Sequence, residues 1–106
     1  MKVVEYVVPL GPGGRRRVRH VRVETRIVEF MVQYEIRIGA EWYPVVRYDT
    51  AHGFAHQDIL HWQGPAEKRT LPSGDYNLGL SHAEEDLRRH WKIYRERFLN
   101  EVKRHD

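Results

Sequence analysis

Val28-Glu29-Phe30-Met31-Val32-Gln33-Tyr34-Glu35-Ile36-Arg37-Ile38, followed by Gly39-Ala40-Glu41 and then Trp42-Tyr43-Pro44-Val45-Val46-Arg47-Tyr48-Asp49, is the stretch that decides the fold. Val28, Phe30, Val32, Tyr34, Ile36 and Ile38 alternate with Glu29, Met31, Gln33, Glu35 and Arg37, the period of a strand with one buried and one wet face. The second run alternates in the same way, so the two form a hairpin. A three-residue loop pairs Ile38 with Trp42, Tyr34 with Val46 and Val32 with Tyr48, apolar opposite apolar. A two-residue loop sets Val32 against Arg47 and Phe30 against Asp49. A slip of one residue turns every side chain to the other face, so the three-residue loop is expected. Pro44 has no amide donor and belongs at an edge or a bulge.

Working outward, Val3–Val8 is a β-branched run closed by Pro9 and by Gly11-Pro12-Gly13-Gly14, which reads as a strand and a turn. Arg16–Val23 is a second strand, with a turn near Glu24-Thr25-Arg26. C-terminal to the hairpin, a further strand is expected near Ala55–His61, then loops at Gly64-Pro65 and Pro72-Ser73-Gly74 around a short Lys68–Leu71 segment. Ser81-His82-Ala83-Glu84 has the form of a capping box. Ala83, Leu87, Trp91, Tyr94, Phe98 and Val102 then make an apolar stripe at helical spacing. Glu84–Arg88 and Glu85–Arg89 are i,i+4 pairs; acids open this helix of about 22 residues (~33 Å), and Lys103 and Arg104 close it. The expected architecture is α+β: a four- or five-stranded antiparallel meander with one long C-terminal helix on one face, the other face being wet.

At 106 residues, 41% hydrophobic and 31% charged, the chain has the composition of one globular domain, 1–106. It carries no cysteine, which excludes disulfides and thiolate metal sites. No apolar run approaches the ~20 residues of a membrane span, and Met1-Lys2 opens onto a strand-like run rather than a signal sequence, so a cytoplasmic protein is expected. Net charge is +3, unevenly spread. Residues 1–26 hold seven basic side chains against two acidic ones, a local +5, whereas residues 27–106 hold 11 basic against 13 acidic. Arg15, Arg16, Arg17, Arg19 and Arg22 could therefore approach a phosphate backbone, with Tyr6, Tyr34 and Tyr43 nearby for stacking. The same run also suits a solvated strand face. The glycine-rich turn is followed by neither a helix nor a Lys-Ser/Thr pair, so it is no phosphate loop.

The densest polar constellation is Arg47-Tyr48-Asp49-Thr50-Ala51-His52-Gly53-Phe54-Ala55-His56-Gln57-Asp58. In the hairpin register Arg47 and Asp49 face away from the helix, and on a strand His56 and Asp58 share a face. Three readings are open. His52, His56, His61 and Asp58 offer metal-ligand atoms, although their spacing matches no ligand signature. His52 and His56 could move protons in RNA cleavage, one taking the 2′-OH proton and the other protonating the leaving oxygen, while Arg47 binds the phosphate. Arg47–Asp49 could instead be an ion pair, with the histidines bonded to backbone. No cofactor is expected and no metal is assigned.

RYDTAHGFAHQD (Arg47–Asp58), with Asp75-Tyr76-Asn77 and the closing Asp86–Leu99 helix, resembles a family of small uncharacterised bacterial and archaeal proteins over roughly residues 20–100. More distantly, the meander, the histidine-bearing hairpin and the C-terminal helix resemble TumE-type toxins of toxin–antitoxin pairs. That resemblance implies an RNA-directed protein with an antitoxin-like partner.

Two functions are thus carried forward. The first is a toxin-like RNA-directed protein using His52, His56, Arg47, Asp49 and Asp58, with the Arg15–Arg22 run as the electrostatic approach. The alternative is a non-enzymatic interaction module that forms a homodimer or docks a partner through the open sheet face or an edge. An enzyme needs the histidines convergent and partly exposed, whereas an interaction module would bury them and expose an apolar patch.

Overall fold

The computed structural model describes residues 1–72 and 74–105. Six strands form one antiparallel sheet in sequence order: β1 (Lys2–Pro9), β2 (Gly14–Val23), β3 (Arg26–Ile38), β4 (Glu41–Asp49), β5 (His56–Ile59) and β6 (Glu67–Thr70). One helix, α1 (Tyr76–Arg104), lies across one face. The α+β meander is as expected, with one strand beyond the four or five anticipated. The additional strand is β6, which overlaps the expected Lys68–Leu71 segment from one residue earlier, and all four of its residues are exposed. Ser73 of the expected loop lies outside the described residues.

The central hairpin corrects one detail of the register. Tyr34 faces Val46 and Val32 faces Tyr48 as expected, but Ile38 pairs with Glu41 and Trp42 pairs with Arg37. The turn is Gly39-Ala40, with Gly39 at φ 64°, and the extra residue is taken up as a bulge at Val45, next to Pro44. A tight turn and an apolar register compete here, and the bulge satisfies both. As a result Val45 and Val46, adjacent in sequence, are both fully buried.

Helix α1 has 29 residues rather than about 22 and starts five residues before Ser81. Asp75 is its N-cap, accepting from the Asn77 and Leu78 amides. Asn77 then fastens this end to the β2–β3 turn, its Oδ1 accepting from the Ile27 amide and its Nδ2 donating to the Thr25 carbonyl. The Ser81–Glu84 motif is therefore interior to the helix, and no acid occupies the first turn. The expected Glu84–Arg88 pair is not formed; Glu84 accepts from the Tyr6 hydroxyl at 3.4 Å, and Arg88 and Arg89 both turn to Glu85.

The stripe of α1 packs as its spacing requires. Ala83, Leu87 and Phe98 are buried against Phe30, Val32, Tyr34, Ile36, Val46 and Tyr48. A fully buried leucine such as Leu87 contributes about 2–5 kcal/mol relative to alanine. The opposite face is less wet than the alternation suggested: Gln33 and Glu35 are 8% and 3% exposed. Long side chains from β2 and β4 lie over them.

Gly11 in the β1–β2 turn has φ 75°, and a Cβ there would run into the Trp91 ring of α1. Gly39 has a similar φ but open space around it. Gly39→Ala should therefore cost about 1 kcal/mol. Gly11→Ala should cost about 2–4 kcal/mol, adding the clash to the strain. Urea unfolding of the two variants checks this, and equal losses would mean that Trp91 gives way freely.

Candidate functional site

The site is built on the sheet face that α1 leaves uncovered. Alternation from the central register assigns Arg15, Arg17 and Arg19 of β2 to that face, with Gln33 and Glu35 of β3, Arg47 and Asp49 of β4, His56 and Asp58 of β5, and Lys68 of β6. One cross-sheet row runs Arg17–Gln33–Arg47–Asp58–Lys68, and the next runs Arg19–Met31–Asp49–His56–Thr70. The β4–β5 pairing thus sets Arg47 opposite Asp58 and Asp49 opposite His56, all four within the Arg47–Asp58 stretch singled out in the sequence.

The β2–β4 side of the site is organised around Glu35. Arg15 Nε donates to Glu35 Oε1 at 2.6 Å and Arg17 Nη1 to Oε2 at 3.3 Å. Gln33 Nε2 also donates to Oε2, and Gln33 Oε1 accepts from Arg47 Nε at 2.7 Å. Three guanidiniums are thereby tied, directly or through one amide, to a single buried carboxylate. Arg15 also stacks 3.9 Å from the Trp42 ring centroid.

The β4–β5 side has the opposite sign. His56 Nε2 stands 3.0 Å from Asp49 Oδ1 and 3.5 Å from Asp58 Oδ2, with side-chain exposures of 2%, 16% and 8% for His56, Asp49 and Asp58. His56 Nδ1 faces the Phe54 carbonyl at 3.4 Å. Asp58 Oδ1 is buried without a hydrogen-bond partner, and the Lys68 ammonium is 3.7 Å from it. His52 is exposed, and its ring stacks on His56 at a centroid separation of 5.6 Å. The two imidazoles are close, but only one is open to solvent. A shallow cavity of about 250 Å³ borders the cluster at Arg19, Met31, Asp49 and Thr50.

Other nominated residues go elsewhere. Arg16 and Arg22 alternate onto the helix side of β2. Arg19 on the open face is matched by Glu5 at 3.1 Å and Glu29 at 2.8 Å, so it contributes no net attraction for an anion. Tyr34 is fully buried and cannot stack on a base. Arg47 and Asp49 form no ion pair with one another; Arg47 bonds Gln33, and Asp49 faces His56. His61 leaves the cluster altogether. Its Nδ1 meets Glu101 of α1 at 3.1 Å and its Nε2 meets Glu67 of β6 at 2.9 Å, while Arg97 also bonds Glu101. This clamp ties the last two strands to the helix.

Gln33, Glu35 and Lys68 were not singled out from the sequence. Gln33 and Glu35 could have been, because placing Tyr34 opposite Val46 also sets Gln33 opposite Arg47. Lys68 carried no such signal. A cavity of about 670 Å³ between Thr25–Val28 and Gly74–Asn77 is lined by none of these residues. Asn77, on its wall, is already spent on the β2–β3 turn.

A family model matches residues 1–104. The chain belongs to the family described as domain of unknown function DUF7718. The resemblance to an uncharacterised family is thus met, and it takes in β1 and the start of β2 as well as the expected residues 20–100. No curated protein and no solved structure matches this DUF7718 chain. Among the described residues no helix is long and apolar enough to cross a membrane.

The clamp makes a pH prediction. The hydrogen bond with Glu101, reinforced by Glu67, outweighs partial burial and raises the His61 pKa above its ordinary value. Its contribution is full below about pH 6.5, the unfolded value, and fades as pH rises through the higher folded value. Glu101 is held below its usual range: partial burial raises it, but bonds from Arg97, the Trp62 amide and His61 more than offset this. Its contribution is full above about pH 4.5 and fades as pH falls. His61→Gln should thus lower the Tm most between about pH 4.5 and 6.5, by up to about 5 °C, and much less at pH 9. Thermal melts across that range check it, and a pH-independent loss would assign His61 to packing alone.

Proposed function

We propose that this protein is RNA-directed and binds a phosphodiester backbone across the open sheet face. The observation that carries the reading is the gathering of Arg15, Arg17 and Arg47 around the one carboxylate of Glu35. Three positive charges against one leave a local surplus of two, on guanidiniums already oriented by Glu35 and Gln33. Arginine forks held in this way suit phosphate oxygens. Cations recur on alternate strands of one row, Arg17, Arg47 and Lys68, about 10 Å apart. The surplus, rather than the whole Arg15–Arg22 run, supplies the attraction.

In this reading His52 is the imidazole that reaches the substrate, and buried His56 is a positioning residue beneath it. The toxin-like setting, with an antitoxin-like protein covering the same face, is the biological form of the proposal. Induced wild-type protein should then arrest growth and His52→Ala should not.

Fluorescence anisotropy with a single-stranded RNA of about 15 nucleotides tests the binding step. Affinity should fall with salt, and Arg17→Ala and Arg47→Ala should each reduce the log–log slope by about 0.7. No binding at about 0.1 mM protein in low salt would end the RNA reading. RNA turnover should disappear in His52→Ala with anisotropy unchanged. If wild-type protein binds RNA without cleaving it, the catalytic part fails and a binding module remains.

One observation favours the interaction-module reading, a homodimer through the sheet edge. β1 leaves one side of its backbone unpaired, and Val3 and Val7 on its open-face side are 48% and 55% exposed. Sedimentation of wild-type protein and of Val7→Lys tests it: a dimer that Val7→Lys dissociates is the expected result, and a monomeric wild-type chain rejects it.

A further inference from the structure

We infer that Asp49, His56 and Asp58 form a binding site for one divalent first-row transition ion of the manganese or zinc class. This goes beyond the RNA reading and does not depend on it.

The ligand atoms of the three side chains all lie within 4.8 Å of one another. His56 Nε2 is 3.0 Å from Asp49 Oδ1 and 3.5 Å from Asp58 Oδ2. Two ligands held about 2.1 Å from one ion at neighbouring coordination positions are themselves about 3.0–3.5 Å apart. The two separations from the imidazole are already those of neighbouring ligands in a coordination shell.

Tautomer and charge point the same way. His56 Nδ1 lies 3.4 Å from the Phe54 carbonyl, which can only accept, so a bond between them requires the Nδ1–H tautomer. This is the arrangement that orients a metal-binding imidazole, leaving Nε2 to face the ion. A bare Nε2 lone pair facing two carboxylates is repulsive. Asp58 is 5% exposed, its Oδ1 has no hydrogen-bond partner, and the Lys68 ammonium near it belongs to an exposed side chain beyond hydrogen-bond reach. Buried carboxylates without compensation are costly. A divalent ion with two carboxylates and a neutral imidazole is a neutral set.

The scaffold is suited to holding it. Asp49 and His56 are direct cross-strand partners, and Asp58 lies two residues beyond His56 on the same face of β5. Ligands on paired strands hold their geometry better than ligands on loops. One nitrogen and two carboxylates fit ions that accept both imidazole and oxygen. Three protein ligands leave further coordination positions, and a cavity opens beside Asp49.

Chelator-stripped protein without a histidine tag should be titrated calorimetrically with Mn²⁺ and with Zn²⁺, in the absence of RNA. One site per chain is expected. In ¹⁵N spectra Mn²⁺ should broaden the amides of residues 49–58 first. Asp58→Asn should weaken binding at least about tenfold, and His82→Ala, an exposed histidine on α1, should not. The inference is overturned if neither ion binds at millimolar concentration, if a folded Asp58→Asn chain binds as tightly as wild type, or if broadening centres on the His61–Glu67–Glu101 clamp. Should Asp58→Asn fail to fold, the broadening map on the wild-type chain decides. Because no RNA is present, failure here leaves the proposed RNA binding intact, and failure of RNA binding leaves the ion site intact.

Discussion

Glu35 sits at the middle of the sheet with 3% exposure, and a carboxylate cannot remain there without positive charge and hydrogen bonds around it. That constraint organises the face opposite the helix. Arg15 and Arg17 come from β2 and Gln33 from β3, and Gln33 in turn accepts from Arg47 of β4. Three neighbouring strands are thus joined by side chains on the face where they share no apolar core. Removing one member of a buried set of this kind leaves the rest uncompensated, which costs more than the set contributes in net stability.

The helix side has a polar centre of its own. Asp86 of α1 accepts from the Tyr48 hydroxyl, from Tyr94 at 2.6 Å and from Gln57 at 3.4 Å, and meets His90 Nδ1 at 3.0 Å. Burial by itself would raise this carboxyl; the bonds from Tyr48, Tyr94 and His90 overcome it and hold the pKa below the ordinary value. Burial and the same carboxylate push the Tyr48 and Tyr94 hydroxyls up. Apolar contacts tolerate sliding along the helix axis, whereas a helix carboxylate engaged by Tyr48 of β4 and Gln57 of β5 does not. Asp86 fixes the helix on the β4–β5 side of the sheet, and Asn77 fixes its start on the β2–β3 turn.

The elements legible in the sequence are those that obey a single period. The alternation of β3 and the stripe of α1 each report one buried face, and both elements are present. β5 and β6 escape that logic: His56–Ile59 is buried on both faces and Glu67–Thr70 on neither, so neither shows an alternation. β6 is held by its backbone pairing to β5 and by the His61–Glu67 contact, neither of which leaves a periodic trace. The helix start was displaced because Ser81–Glu84 has the form of a cap while Asp75 does the capping. The site was legible where it is local: Arg47, Asp49, His56 and Asp58 lie within one hairpin. Its remaining members, Glu35, Gln33 and Lys68, arrive by cross-strand register, and the burial of Glu35 and Gln33 depends on arginine stems reaching over them.

These parts leave the open face divided by charge. Toward β2 and β3, guanidiniums outnumber the carboxylate that orders them; toward β5, the Asp49 and Asp58 carboxylates face one imidazole, with the Lys68 ammonium 3.7 Å from Asp58. Arg47 stands at the boundary, bonded to Gln33 on one side and paired in register with Asp58 on the other. A sheet needing only to be stable could have covered this face with apolar side chains and a second helix, as it did the first. Here two unequal charge sets are kept side by side on rigid strands, each incompletely answered from within the chain. The proposed phosphodiester answers the arginine side and the proposed divalent ion the aspartate side, so two separately testable proposals place their ligands on neighbouring parts of one face.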